Sequence, residues 1–249
     1  MSALGGLGLF ILVAFTFLMI ALALVERRWP ARFRPIPAFD ALGGATERAV
    51  EAGERVHFSL GTGTLLGGEA GPALAGLSTL TRVADAATMS DRPPVVTAAD
   101  GALVILAQDT IRSAYRRVSA IDRYHANSGR LVGATPLAYT AGIPAVLNDE
   151  DASVHLMLGR FGAEGALVAD AGQRRQAFTL GGTQDVQSQA LLYATAENPL
   201  IGEDVFAGGA YLNAGLFHRG SLRAQDLVRV LIVAGVLIAT LLKTLGVIP

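Results

Sequence analysis

Cysteine is absent from this chain. That removes a disulfide framework, a thiolate zinc site and a cysteine nucleophile together. Histidine is scarce: His57, His125, His155 and His218 are the whole set. None has a partner at the spacing of a local metal motif. Charged residues make up 16% of the chain, against about a quarter in ordinary soluble domains. The formal net charge is −1, so no global positive field directs the chain to nucleic acid. At 249 residues, 51% of them apolar, there is enough chain for one good-sized domain or two small ones.

The apolar excess sits at the two ends. Ser2 to Val25 runs without a charge, and about 20 apolar residues span a bilayer. The stretch lacks a basic leader and a small-residue cleavage site, so it reads as a retained transmembrane helix over residues 1–26. At the other end, Ser221 is a candidate N-cap for a helix from Leu222 to about Leu245. Its uncharged core, Val230 to Leu242, is short, and Lys243 must snorkel for the segment 223–249 to span. Arg27, Arg28, Arg32 and Arg34 follow the first span, and Arg219, Arg223 and Arg229 precede the second. By the positive-inside rule this places the middle of the chain in the cytoplasm and both termini outside a cytoplasmic (inner) membrane. Trp29 stands where an interfacial anchor belongs. The arginines also make membrane lipids a candidate partner.

Between the spans, residues 27–39 form a linker stiffened by Pro35 and Pro37, and residues 40–222 carry one repeating grammar. Apolar runs at Val56–Leu60, Pro94–Thr97, Leu131–Ala134, Val154–Leu158, Ala177–Leu180 and Pro199–Ile201 end in turns that together are rich in Gly, Thr and Asp, and feed helical patterns. Asp40 is read as capping a helix over Ala41–Ala52, and Asp100 one over Gly101–Arg117 that is buried all round at Leu103–Leu106. Pro136 opens a helix that Pro144 breaks or kinks. A short helix spans Ala163–Ala171 and ends at Gly172, another runs Gln184–Thr195, and a last one runs from Gly202 to about Leu212. Strands alternating with helices predict a doubly wound, mostly parallel, Rossmann-like α/β sheet held between two transmembrane helices.

In such a sheet ligands sit beyond the carboxyl ends of the strands. The candidate ligand-binding residues there are Gly61, Thr62, Gly63, Asp100, Arg160, Gly181, Gly182 and Thr183. Gly61-Thr62-Gly63 supplies two of the three glycines of a dinucleotide fingerprint, but Leu66 holds the third position, Gly67 comes one place late, and no lysine makes it a P-loop. The preferred reading of the loop, which extends through Gly67, Gly68 and Gly71, is a tight turn with close helix–sheet packing. No cofactor is predicted, a nucleotide being the weaker alternative. Asp100, Asp185, Glu203 and Asp204 read as helix-start acids before they read as a catalytic cluster. His57 and His155 lie inside strands as core residues. Gly5, Gly6 and Gly8 in the first span, and Gly235 with Ala239 in the second, suit close helix contact in lipid.

The segments VHFSLGTGTLLGG, PPVVTAADGALVILAQDTIRSAYRR, NPLIGEDVFAGGAYL and GSLRAQDLVR resemble a family of prokaryotic membrane proteins that carry a domain of unknown function. The likeness rests on Gly61-Thr62-Gly63, Ala107-Gln108-Asp109, Gly202-Glu203-Asp204 and Ser221–Asp226, and covers roughly residues 35–230. It implies two membrane helices flanking a Rossmann-like domain and carries no catalytic residues. Pro144 departs from the unbroken helix expected of relatives. The function expected from all this is a non-enzymatic scaffold or accessory subunit at the membrane, forming a homo-oligomer or joining other membrane-complex subunits. A cytoplasmic nucleotide- or anion-binding domain is the alternative, and an enzyme using carboxylates at the strand tips ranks last.

Overall fold

The computed structural model describes residues 3–66 and 70–246. Ser2, Gly67 and Gly68, which figure in the sequence reading, lie outside the described residues. The contact pattern divides the chain into two units, Met1–Phe33 with Gly215–Pro249, and Arg34–Ala214.

The second unit is the α/β domain. Its strands are β1 (Arg55–Gly61), β2 (Val95–Ala98), β3 (Gly129–Leu131), β4 (Ala152–Arg160), β5 (Phe178–Gly182) and β6 (Asn198–Leu200). They form one sheet in the order β3-β2-β1-β4-β5-β6, with every neighbouring pair parallel. This is the strand order of dinucleotide-binding doubly wound sheets, with the reversal of winding between β1 and β4. The central strands are buried along nearly their whole length, which their continuous apolar sequences require.

Its helices are α2 (Pro37–Ala52), α3 (Gly71–Ala87), α4 (Gly101–Arg117), α5 (Pro136–Asp149), α6 (Gly165–Arg174), α7 (Val186–Thr195) and the short α8 (Gly208–Tyr211). α2, α3, α4 and α8 pack together in one layer, and α5, α6 and α7 in another. The second layer closes on a core that includes Tyr139, Ile143, Leu147, Met157, Phe161, Val168 and Leu192. At the far end of the sheet, Glu150 joins Arg55 of β1 and Arg130 of β3 in a shared ion pair.

Several elements differ from the sequence expectation, each for a physical reason. α2 begins at Pro37, not after Asp40, because proline's fixed φ suits a first helical position and Ile36 supplies the extended cap. β3 lies two residues earlier than read, where Gln108 reaches across to donate to the carbonyls of Ala126 and Gly129. α5 runs unbroken through Pro144, which is exposed; Tyr139, Ile143 and Leu147, buried on either side, hold it together. α6 continues past Gly172. That glycine is needed inside the helix, since a Cβ there would meet Thr179 Oγ1 at 2.6 Å and His155 Cδ2 at 2.7 Å. The start of α4 is not buried all round, for Ile105 is exposed. In place of a single helix after Gly202 there is a 3-10 turn over Gly202–Phe206 followed by α8, with Gly208 pressed against Thr79.

The first unit holds α1 (Ala3–Arg28) and α9 (Leu216–Thr244). At 26 and 29 residues they are about 39 and 43 Å long, and both are long and apolar enough to cross a membrane. α9 starts six residues earlier than Ser221 suggested. Its first turns are held helical by packing, with Gly220 lying directly on Ala23 of α1. Ala23 meets Gly220 while Glu26 meets Arg219 and Arg223, and Leu22 shares a groove with Leu227 and Val230. Falling numbers on α1 thus meet rising numbers on α9, so the two helices are antiparallel. Gly6, Gly8 and Gly235, expected at a helix contact, have open space where a Cβ would stand, whereas Ala23 and Gly220 make a small-residue contact between α1 and α9.

Candidate functional site

The reversal of winding puts the tips of β1 and β4 at the place where this fold takes its ligands. Here the two tips are joined to each other. Gly61 lies opposite Arg160, and the Thr62 amide donates to the Arg160 carbonyl at 2.8 Å. Thr62 Oγ1 donates to Glu164 Oε1 at 3.0 Å, and the same carboxylate oxygen accepts from the Gly162 amide at 2.9 Å. The approach is too close for side chains. A Cβ on Gly61, where φ is +75°, would lie 2.1 Å from the Arg160 carbonyl oxygen, and one on Gly63 would lie 2.9 Å from Arg160 Cβ. These glycines therefore permit a seam between loops. α3 also begins only at Gly71, so its N-terminus does not open directly on the Gly61–Gly63 turn, as a dinucleotide fingerprint requires.

The open space lies one strand further on. A cleft of about 720 Å³ between the tips of β4 and β5 is lined by Arg160 to Ala163 and Gln184 to Gln187. Asp185 caps α7, accepting from the Ser188 amide at 2.8 Å and its hydroxyl at 2.5 Å. These Ser188 bonds and the positive charge of Arg160 hold its carboxyl below the usual range. Thr183 faces inward, bonded through Oγ1 to the Phe161 amide and carbonyl. Gly181 and Gly182 are packing positions, close against Ala196 and Leu192, and against Val205, Leu158 and Leu200. Asp100 caps α4 through Leu103 at 2.9 Å. Of the eight residues read as ligand-binding, Arg160 alone lines the cleft. Asp100 and Asp185 each serve their own helix, and among the described residues no cluster of acids and histidines is placed to hold a metal.

A second constellation escaped the sequence reading. Ser59 Oγ lies 2.6 Å from Tyr139 Oη, which lies 2.8 Å from Thr97 Oγ1; that oxygen is 3.0 Å from His57 Nε2; His57 Nδ1 is 2.8 Å from His155 Nδ1; and His155 Nε2 is 3.2 Å from the Val168 carbonyl. All five side chains are fully buried. The carbonyl only accepts, so with both rings neutral it fixes every proton in the line. His155 carries its proton on Nε2 and accepts at Nδ1 from His57. His57 then accepts at Nε2 from Thr97, Thr97 accepts from Tyr139, and Tyr139 accepts from Ser59. Burial and the neighbouring His155 push the His57 pKa well below its ordinary value, and burial takes His155 to about 4. Burial also raises the Tyr139 phenol to about 12. The line is polar, satisfied and uncharged. His57 and His155 were recognisable as core residues, but their link to Tyr139 was not.

In the hairpin unit, the residue that sequence reading missed is Glu26. It is 2% exposed and binds Arg219 at 2.6 Å, Arg223 at 2.8 Å and the Ala31 amide at 3.0 Å. Arg219 also donates to the Ala31 carbonyl and stacks over Phe33, and Arg223 donates to the Trp29 carbonyl. Two of the arginines counted for topology thus close the hairpin. Arg27, Arg28, Trp29 and Arg32 are exposed beside this clasp, and Arg229 pairs with Asp226 at 3.4 Å. Arg34 belongs to the α/β unit, where it binds Asp204 at 2.5 Å and its carbonyl accepts from Tyr211.

With both units described, their extent can be set beside known proteins. A family model described as Domain of unknown function (DUF6754) matches residues 5–248. The chain belongs to this family. No curated protein and no solved structure matches it. The DUF6754 match runs through α1, the whole sheet and α9, so the two apolar helices are part of the family's unit and not additions to it. Chemically, the candidate site in this chain is a seam of glycines with a polar cleft beside it.

Proposed function

We propose that the chain is a membrane-anchored, non-enzymatic α/β scaffold or accessory subunit that self-associates or joins a larger membrane complex. The observation that carries this reading is the β1–β4 seam, where Thr62, Arg160 and Glu164 occupy the crevice in which this fold takes a substrate or cofactor. The hairpin supports the anchoring part. Its apolar side chains from Leu7 to Leu24 and from Val230 to Leu241 are largely exposed, which demands lipid or other helices around them. Open space beside Gly6, Gly8 and Gly235 leaves room for the close approach of a second chain. The arginines around the clasp favour a cytoplasmic α/β unit in the inner membrane with both termini outside. Native mass measurement in mild detergent tests the association: a defined oligomer or complex is expected, and a lone monomer across concentrations overturns it. Because the chain has no cysteine, an impermeant thiol reagent on intact cells tests sidedness. Thr244→Cys is expected to label from outside and Asn127→Cys is not.

The cleft at Arg160 and Asp185 supports a second reading, binding of a nucleotide or other small anion. Calorimetry with nucleotides on the wild type, Arg160→Ala and Gly63→Val tests it. Heat of binding that is lost in Arg160→Ala is the supporting result, and no heat in any of the three is the opposite one.

A further inference from the structure

Beside the Glu26 clasp, a groove of about 390 Å³ runs between the end of α1, the segment Ala31–Phe33 and α9. Its walls are apolar, with Leu22 on one side and Leu227 and Val230 on the other, and Arg32 and Arg223 stand at its rim. Three features bear on what fills it. The first is position. The clasp ends the apolar stretch of both helices, so the groove straddles the step from apolar to charged surface. Trp29, 72% exposed next to it, is the residue type favoured at a lipid headgroup.

The second feature is charge. This end of the hairpin carries Arg27, Arg28, Arg32, Arg219, Arg223 and Arg229 against Glu26 and Asp226, six cations to two anions and a surplus of four. Glu26 is consumed by Arg219 and Arg223, and Asp226, also on the groove, is paired with Arg229. The third feature is the state of Arg32. It is exposed and has neither a hydrogen bond nor an ion pair among the described residues, whereas Arg219 and Arg223 are committed to the clasp. A planar guanidinium without a protein partner, above an apolar trough, matches a phosphodiester over an acyl chain.

We infer that the groove is a binding site for one anionic phospholipid, its phosphate on Arg32 and the upper part of one chain against Leu22, Leu227 and Val230. The inference rests on reading α1 and α9 as membrane spans. It makes the lipid a fixed component at the clasp rather than a diffuse counter-charge, and it gives the Ala31–Phe33 segment a ligand-holding role.

The test uses the full chain in mild detergent, with native mass spectrometry of bound phosphatidylglycerol and phosphatidylcholine of matched chains. Wild type is expected to retain one phosphatidylglycerol in preference to phosphatidylcholine. One cationic contact at a membrane surface corresponds to about fivefold in affinity, so Arg32→Ala lowers retention about that much. Leu227→Trp, which fills the trough and leaves every charge in place, lowers it too, while Arg28→Ala, outside the groove, changes it little. Equal retention of the two lipids overturns the site, as does an equal loss from Arg28→Ala and Arg32→Ala. Displacement by glycerol phosphate at lipid-like concentrations also overturns it, because a free anion would then suffice. Alkaline extraction of native membranes separates the two levels. A chain released by carbonate removes the spanning reading itself, whereas a chain that stays in the pellet without lipid preference removes only the groove.

Discussion

Lowering the pH from 7 to 4 is expected to cost the α/β unit about 3 kcal/mol through His155 alone. The ring is fully buried, its Nε2–H is spent on the Val168 carbonyl and its Nδ1 on His57, so a second proton finds no partner. Burial takes its pKa from 6.5 to about 4. The folded value is depressed, so between the two values the unfolded chain binds more protons, and stability falls as pH falls. It is fully present above about 6.5, is reduced by about 2 kcal/mol at pH 5, and levels off below the folded value. His57, lowered by burial, by His155 and by Arg130, adds in the same direction. Carboxylates such as Asp185, whose pKa is also depressed, lose their contribution only below the ordinary carboxylate range, so the histidine window lies above theirs. Hydrogen exchange on peptides covering β1 and β4, corrected for intrinsic rates, reads the loss as roughly a hundredfold acceleration between pH 7 and pH 4. His155→Gln supplies one donor and one acceptor without titrating, and is expected to flatten the profile by His155's share. A wild-type profile flat from pH 7 to pH 5, or an identical slope in His155→Gln, would refute the reasoning.

Three further outcomes follow from the same geometry. Gly61→Ala combines a left-handed φ with a 2.1 Å contact on backbone and is expected to destabilise by about 3 kcal/mol or more; Gly63→Ala meets a side-chain atom only and costs less, a ranking that thermal unfolding checks. Tyr139→Phe leaves the Ser59 hydroxyl proton without its acceptor and removes the donor to Thr97 Oγ1, which keeps its bond to His57, at a cost of about 2 kcal/mol, and adding Ser59→Ala recovers about 1 kcal/mol of it in urea unfolding, since removing both partners is cheaper than removing one. Glu26→Gln leaves Arg219 and Arg223 without their anion and is expected to loosen the hairpin by about 2–4 kcal/mol, seen as faster hydrogen exchange around Ala23 and Gly220 while β1 and β4 exchange as before.

The legible part of this chain was local. Apolar runs located the central strands β1, β2, β4 and β5, because a strand buried along nearly its whole length needs little besides its own residues to be recognised; β3, which is Gly-Arg-Leu and partly exposed, was read two residues late. Asp100 was readable as a cap, since its partner Leu103 is three residues away. What was missed depends on partners far along the chain. Glu26 carries no local signal; its arginines are 193 and 197 residues away. Tyr139 and Ser59 are 80 apart, and His57 and His155 are 98 apart. The expected start of α9 failed differently. Ser221 satisfied a local rule, but packing of Gly220 on Ala23 extended the helix beyond it. Pro144 carried a local penalty that buried neighbours in α5 overrode.

The strand order adds a constraint on how function is read from fold. The order β3-β2-β1-β4-β5-β6 matches sheets that seat dinucleotides, yet order alone does not build that seat. A phosphate needs free amides at a helix start directly after the first strand, and a glycine loop that keeps side chains away from the ligand. In this chain α3 starts ten positions after Gly61, the Thr62 amide is spent on the Arg160 carbonyl, and the space that the glycines clear is taken by β4 and its loop. The same residue types therefore serve the opposite end. They bring two strand tips together at the Thr62–Arg160 contact, and the open space lies beside that contact, between the tips of β4 and β5.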